Sequence, residues 1–423
     1  MNATSLKHFK VSRARHPDGW FLRERLLLAP SAFLRKAEKR TQEIRAAKSR
    51  VRLAWVTCVI PSYRINFLGR LMKQASFDLD LYHGQGKEGK TVTSAGDQLE
   101  GTSIPVRNLY WPTRRPRIMW QRGVWRVVRD GYDVVVINEN VHNMSNWLLF
   151  LGKYIFDYRI VLVGYGYRPQ LGSGLHARLR DRLRGMVLRR ADSIVTYTDM
   201  GREAVCAMGI SPDRVFVYGN TLDVDELLET KRRLNQTRVR APAPSPRLRV
   251  AYLGRLVPVK RVDLLIDALS TLKDPDQVSC DIIGDGIERA SLEEKTASLP
   301  QVHFHGALYD PEEIAQVLMK ADVLVLPGRV GLTVIHAFCL GIPVLTIGSG
   351  VEQSPEFAYL EHGRDSVVLG RPNAHELGEA IERLANDRAL LWRLKLRSRR
   401  KAQRFRMDRM VSEFTRAVDA AMT

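Results

Sequence analysis

The chain has 423 residues, is 45% hydrophobic and carries a formal net charge of +20. That length suits two or three domains of ordinary size, and no apolar run reaches the roughly 18 to 20 residues a membrane-spanning helix needs. A balance this basic suggests a polyanionic partner or a solvated basic surface. No zinc finger, RRM signature or basic zipper is readable, so the polyanion expected is an anionic membrane face rather than nucleic acid.

Residues 1–50 hold 13 Lys/Arg against 4 Asp/Glu. They read as a basic extension without the apolar core and cleavage site of a secretory signal. Phe21 to Leu34 is Leu- and Arg-rich and broken by Pro30. Ala37 to Lys48 reads as a charged helix. An amphipathic segment lying on a bilayer and a surface-packed extension are both open. The cysteines Cys58, Cys206, Cys280 and Cys339 are scattered without a CxxC pair, which indicates neither a zinc site nor a disulfide framework. Reduced, buried thiols in a cytoplasmic protein are the expectation, with a peripheral position on the inner face of the plasma membrane left open.

From Val51 onward, strands and helices alternate, the pattern of parallel sheets with crossover helices. Val51 to Ile60 is the first buried strand. It ends at Pro61 and releases Ser62, Tyr63 and Arg64 into a loop, followed by a helix from about Asn66 to Gln74. Leu79 to Tyr82 is a second strand, and residues 84–101 read as a polar loop. Thr113 to Pro116 is a basic loop before a helix expected to hold Trp120 and Trp125. Asp133 to Ile137 is a strand ending in Asn138-Glu139-Asn140. Arg159 to Val163 is another, ending in the loop Gly164 to Arg168. The helix His176 to Arg190 carries six arginines and reads as a solvated basic face or a phospholipid contact. Ser193 to Tyr197 and Val215 to Tyr218 complete this half, which closes on Asn220-Thr221-Leu222-Asp223.

Thr237 to Arg247 is Pro-, Ala- and Arg-rich and aperiodic, as a linker would be. The alternation then restarts at Arg249 and ends in helices over Asn373–Asn386 and Ala389–Thr423. The boundaries expected are an extension over 1–50, a Rossmann-like acceptor domain over 51–236, a linker over 237–247 and a Rossmann-like donor domain over 248–400. A C-terminal helix over 401–423 is expected to pack back on the first domain. The fold class is α/β, with two doubly wound domains facing across a cleft, a usual place for a small-molecule site.

Within the second half, Ala321 to Ile347 is a βαβ unit. A strand is broken by Pro327-Gly328, a helix starts near Gly331, and Gly341 and Pro343 stop it before a second strand. Ligands of parallel sheets bind at the carboxyl ends of the strands, and helix N-termini there offer N–H groups to phosphate. Arg255 and Lys260 flank one strand-to-helix loop. Arg255 can fork two N–H bonds onto phosphate oxygens and Lys260 can add a point charge. With such cations no metal or other cofactor is required. The Asp-x-Asp pairs 78/80, 223/225 and 274/276 read as chance surface pairs rather than metal ligands.

Four segments, Gly254 to Lys260, Ile282 to Gly286, Val302 to Gly306 and Pro327 to Pro343, resemble, in order, motifs of the GT-B-fold retaining glycosyltransferases of family 4, the group 1 transferases, and in particular bacterial polysaccharide types. Residues 60–71, 190–205 and 220–223 resemble the family more loosely. The resemblance implies a nucleotide-sugar donor held by Gly254, Gly284, Gly286, Gly331, Leu332, Thr333, His336 and Glu356. It makes Arg255 and Lys260 the groups acting on the leaving diphosphate. Ser62, Tyr63, Arg64, Tyr165, Arg168 and Asn220 are candidates for the acceptor side, with a glycan or lipid-linked acceptor. The chain departs from the family at its paired glutamates, which fall on Gly328 and His336. A neutral His336 can still hydrogen-bond a ribose hydroxyl. Glu352, Gln353 and Glu356 are the nearest replacements for a sugar contact. A nucleotide-sugar 2-epimerase and a catalytically weakened binding subunit remain alternatives.

Overall fold

The computed structural model describes residues 50–86, 94–99, 101–111, 118–167, 175–237, 247–350 and 352–423. The extension over 1–49, the basic loop 113–116, Arg168 and most of the expected linker lie outside the described residues.

The first sheet is built from β1 (Val51–Thr57), β2 (Phe77–Gly84), β3 (Thr102–Trp111), β4 (Ile118–Arg122), β5 (Val134–Asn138), β6 (Arg159–Gly164), β7 (Ser193–Thr196) and β8 (Val215–Val217). Its helices are α1 (Ile65–Met72), α2 (Trp125–Arg129), α3 (Met144–Phe156), α4 (Leu175–Arg190) and α5 (Asp199–Ala207). The strand order is β4-β3-β2-β1-β5-β6-β7-β8. All pairs are parallel except β3–β4. Strands covered on both faces must be apolar throughout, and Val134 to Ile137 are fully buried.

After α6 (Val224–Thr237), the second sheet follows with β9 (Leu248–Leu253), α7 (Val262–Ser270), β10 (Val278–Ile283), α8 (Arg289–Lys295), β11 (Val302–Gly306), α9 (Pro311–Leu318), β12 (Val323–Leu326), α10 (Thr333–Leu340), β13 (Val344–Ile347) and β14 (Ser366–Leu369). The helices α11 (Ala374–Asn386), α12 (Arg388–Lys401) and α13 (Met407–Met422) close the chain. This sheet is fully parallel in the order β11-β10-β9-β12-β13-β14. Among the described residues, no helix is long and apolar enough to cross a membrane.

The chain passes between the two cores twice. Val224, Leu227 and Leu234 of α6, inside the span expected for the first domain, belong to the core of the second sheet. Helix α13 returns to the first sheet, where Phe414 stacks on Trp55 at 4.9 Å between ring centroids. Ser193 Oγ donates to Ala417 O at 2.7 Å and ties α13 to β7.

Several local expectations are revised. Trp120 lies in a strand and only Trp125 is helical. Ile118 to Arg122 alternates exposed and buried residues, the period of a strand, and pairs with β3 inside the stretch expected to be loop and helix. The single last helix is two, separated at Arg406 by extended backbone. Of the acidic pairs, Asp78, Asp274 and Asp276 are exposed, whereas the half-buried Asp80 accepts from Tyr132 at 2.6 Å and Asp225 pairs with Arg406 at 2.9 Å. Of the six arginines of α4, Arg184 turns inward and is buried.

Candidate functional site

In each sheet the chain runs outward, returns, and builds the other half from the central strand, which leaves a crevice at the carboxyl ends. That point lies between β1 and β5 in the first sheet and between β9 and β12 in the second. The strand ends at these points supply Thr57 and Cys58, Asn138 and Glu139, Gly254 and Arg255, and Pro327 and Gly328.

Between the domains lies a cleft of about 490 Å³. Glu139, Tyr165 and Tyr167 line it from the first domain, and Arg329, Gln353 and Ser354 from the second. Beside it is a smaller pocket of about 180 Å³ holding Tyr63, Arg64, Tyr197 and Tyr218. Tyr63 and Tyr165 are exposed; Ser62 is too, in the 3-10 turn Ser62–Arg64. The Arg64 guanidinium sits among tyrosine rings, 5.4 Å from the Tyr63 centroid and 5.6 Å from that of Tyr218, and donates to Tyr218 Oη at 3.0 Å.

A buried polar chain joins the halves. Arg64 donates to Asn220 Oδ1, and Asn220 Nδ2 donates to Glu356 Oε1. Asn220 and Glu356 are both buried. Tyr359 Oη reinforces the same junction, donating to Asn220 O at 3.0 Å and Tyr197 O at 3.1 Å. The first-domain loop after β6 is fixed by a second buried pair. Arg184 donates to Glu139 Oε1 and to Gly166 O, while Gly166 N donates to Glu139 Oε2 at 3.3 Å.

The donor-side loops owe their shape to close backbone approach. Gly284 N donates to Gly306 O at 2.7 Å and Gly254 N to Ile283 O at 3.0 Å. A Cβ on Gly284 would strike Gly254 O, so only glycine fits there. Leu256 N donates to Asp285 O at 2.9 Å, which draws the Gly254–Lys260 loop and the Gly284–Gly286 turn together.

Arg255 is exposed at the carboxyl end of β9. Lys260 Nζ donates to Arg329 O, and a Cβ on Gly331 would lie 3.4 Å from that ammonium. Burial, with the neighbouring positive charge of Arg255, pulls the Lys260 pKa down to about 8, opposed by Glu356. Lys260 therefore stands at the helix mouth and also holds its loop in shape.

The helix mouth itself is partly occupied. Val330 N donates to Gln353 Oε1 at 3.0 Å and Gly331 N to Ser354 Oγ at 2.7 Å. Gln353 Nε2 donates to Gly328 O and Ile347 O at 3.0 and 2.8 Å. The N–H groups left for an anion are those of Leu332 and Thr333, in the first turn of α10, where no carbonyl lies four residues back within the helix. His336 Nδ1, one turn on, is buried without a hydrogen-bond partner, and desolvation lowers the imidazole pKa to about 4.

Of the predicted residues, Tyr63, Arg64 and Tyr165 line the cleft or the pocket beside it; Arg255, Lys260, Gly331 and His336 are not among the lining residues, and Arg168 is outside the described residues. Sequence reasoning missed Arg329, the Glu139–Arg184 pair and the bracing role of Gln353 and Ser354. Arg329 immediately follows the Pro-Gly break, and that position was the available signal. Arg184 was hidden in a run of arginines.

Two doubly wound domains set with their switch points across a cleft, with glycine turns and cations on one side, define a GT-B nucleotide-sugar transferase architecture. The family described as "Glycosyl transferases group 1" matches residues 247–387, and the "Glycosyl transferase 4-like domain" matches residues 28–221. The chain belongs to the GT-B glycosyltransferases of family 4. It is 29% identical over 203 residues to a GDP-mannose-dependent alpha-mannosyltransferase of Mycobacterium tuberculosis, covering 47% of this chain and 50% of that protein. Its counterpart of the same name in Mycolicibacterium smegmatis is 28% identical over 188 residues, covering 44% and 47%. The matches thus span about half the length of these curated relatives. The fold resembles that of Anabaena HepE in complex with UDP, with TM-score 0.63 and 16% identity over 87% of this chain and 99% of that one.

Proposed function

We propose that the protein transfers a hexose, with retention of configuration, from a nucleoside-diphosphate sugar to a glycan or lipid-linked acceptor in surface-glycan synthesis. The observation that supports this reading is that Lys260, close enough to Arg255 and Glu356 to feel both charges, donates to the carbonyl of Arg329, which lines the interdomain cleft. Arg255, Lys260 and the first-turn N–H groups of α10 face the place where a leaving diphosphate gathers charge, which is what speeds bond cleavage. These groups supply the positive charge the diphosphate needs without a metal. The unpartnered Nδ1 of His336 is met by a ribose hydroxyl, since buried polar atoms are ordinarily paired.

Glu356 takes the place of the missing glutamates as the carboxylate beside the sugar. An oxocarbenium-like transition state is stabilised by such a group. Tyr63, Tyr165 and Arg64 form the acceptor wall. The mycobacterial relatives use GDP-mannose as donor and HepE is seen with UDP, so both nucleotides are part of the test.

The protein is incubated with a panel of nucleoside-diphosphate hexoses, with and without a polyprenyl-phosphate-linked or free glycan acceptor, and the anomer formed is read by NMR. Acceptor-dependent release of nucleoside diphosphate with the donor's anomeric configuration supports the reading. Epimerised donor formed without acceptor, or tight nucleotide binding without turnover, overturns it.

A further inference from the structure

The edge of the first sheet carries a surface that the transferase site does not use. Strands β3 and β4 form an antiparallel hairpin with Leu109 opposite Trp120, Trp111 opposite Ile118, and Arg107 opposite Arg122. In strands, alternate residues share a face, so these six side chains stand together, and all six are exposed. Trp111 is 69% exposed. Trp125 follows on α2, with the Arg129 guanidinium 4.6 Å from its ring centroid. Three of the four exposed tryptophans of the described chain, Trp111, Trp120 and Trp125, fall in this one patch.

Among the described residues the patch is graded, and the sequence joining Trp111 to Ile118 adds Arg114, Arg115 and Arg117. Its outer end is apolar, with Trp111, Ile118, Leu109 and Trp120. Its inner end is basic, with Arg107, Arg122, Arg126 and Arg129. No Asp or Glu occurs from Gly101 to Arg129, and Asp130, which pairs with Arg129 at 3.6 Å, is the acidic neighbour at the inner end. Arg122, Trp125 and Arg126 line a groove of about 310 Å³ with Pro105 at the base of the hairpin. Tryptophan and arginine arranged this way match the boundary between acyl chains and phosphate headgroups, where an amphipathic ring sits between the two and each arginine meets an anionic lipid. A protein partner would also cover apolar rings, but the one-sided charge matches a surface carrying phosphates of a single sign.

The opposite face of the hairpin is tied to the transferase cleft. Asn108 Nδ2 donates to Cys58 O at 2.7 Å, and Gln121 Nε2 donates to Thr57 O at 2.9 Å. Asn143 Nδ2 donates to Gln121 Oε1 at 3.0 Å. Cys58 lines the interdomain cleft. The geometry points to the β3–β4 hairpin and α2 as a docking surface for an anionic phospholipid bilayer, one that holds the acceptor wall beside the membrane. The docking rests on this surface alone; only its use, presenting a lipid-linked acceptor, rests on the proposed transfer reaction.

The test uses the full chain with vesicles of phosphatidylglycerol and phosphatidylcholine, and with phosphatidylcholine alone, in co-sedimentation. The parent protein binds the anionic vesicles and not the neutral ones. The paired change Arg107→Glu/Arg122→Glu weakens binding by roughly ten-fold or more. Trp111→Ser/Ile118→Ser, at exposed sites, weakens it comparably with an unchanged melting temperature. Both variants retain the parent's hydrolysis of the preferred donor in detergent-free solution. Parent and variants that bind anionic vesicles equally, or a parent that does not bind, overturn the proposal. So does concentration-dependent dimerisation that these substitutions abolish without vesicle binding. An inactive parent that still shows patch-dependent binding sinks the transferase reading and leaves the docking surface standing.

Discussion

Gly328 and Lys260 are packed backbone to backbone: a Cβ on Gly328 would lie 2.5 Å from the Lys260 carbonyl carbon. The loop after β12 and the loop after β9 therefore touch where the family's first glutamate would stand. Arg329 N donates to Val259 O at 3.1 Å and seals that contact.

Restoring the family's acid at this position is expected to damage the protein. Gly328→Glu places a side chain where the backbone of Val259 and Lys260 already is, and backbone cannot yield as a flexible side chain can. The cost is of the order of 2–4 kcal/mol, typical of overpacking a tight site. Urea unfolding should show the loss, together with weaker donor binding. A variant as stable as the parent would mean that the two loops do not meet as described.

Donor binding should fall as pH rises through about 8. Burial and Arg255 hold the free Lys260 pKa at about 8, so the ammonium deprotonates above that point in the empty site. A bound diphosphate favours the charged form and raises the pKa, so binding takes up a proton between the two values. Affinity then drops by up to about ten-fold per pH unit above 8. Calorimetry in buffers of different ionisation enthalpy reads the proton uptake directly. Lys260→Arg, charged at every accessible pH, should flatten the profile. Lys260→Ala and Arg255→Ala should each lower kcat by roughly 100-fold with the fold retained, the usual effect of removing one donor to developing charge.

His336 should contribute as a neutral group. Desolvation lowers its pKa to about 4, so its role does not change between pH 6 and 8. His336→Phe removes the unpartnered Nδ1 and keeps an apolar ring. The change should weaken nucleotide binding by roughly two- to thirteen-fold, the effect of one neutral hydrogen bond, while leaving stability equal or slightly raised, because a buried orphan polar atom is gone. A fluorescence titration with nucleoside diphosphates checks it; unchanged affinity would remove His336 from the ribose site.

The fold was legible because its signals are local. Val134 to Ile137 reads as a buried strand from its own composition, and Pro327-Gly328, Gly341 and Pro343 punctuate the β12–α10–β13 unit at fixed offsets. Gly341 takes the left-handed conformation, φ 77°, that a helix C-cap favours. The hairpin β3–β4 was missed because an edge pair carries apolar, aromatic and basic residues on its exposed face, which blurs the alternation expected of a half-buried strand. The site's braces were missed for a different reason. Gln353 reaches Val330 and Gly328, and Arg184 reaches Glu139, across 23 to 45 residues of sequence. No period or motif announces a hydrogen bond between loops.

The chain from Arg64 through Asn220 to Glu356 gives the last prediction. Asn220 is buried at the first crossing between the domains and donates to a carboxylate that is buried as well. Asn220→Ala leaves Glu356 without that donor and Arg64 without one of its acceptors, at a cost of about 1–3 kcal/mol. Asn220→Asp should cost more, because two carboxylates would then face each other in a site with little water. Glu356→Gln keeps the shape and can still accept from Asn220, so it separates the two roles of this residue. If Glu356 only braces the domains, the glutamine variant should retain kcat and lose little stability. If its charge stabilises the sugar in the transition state, kcat falls by 100-fold or so, the scale of one lost electrostatic contact, while KM and the melting temperature stay near the parent values. Steady-state kinetics and thermal unfolding on these three variants decide between the two.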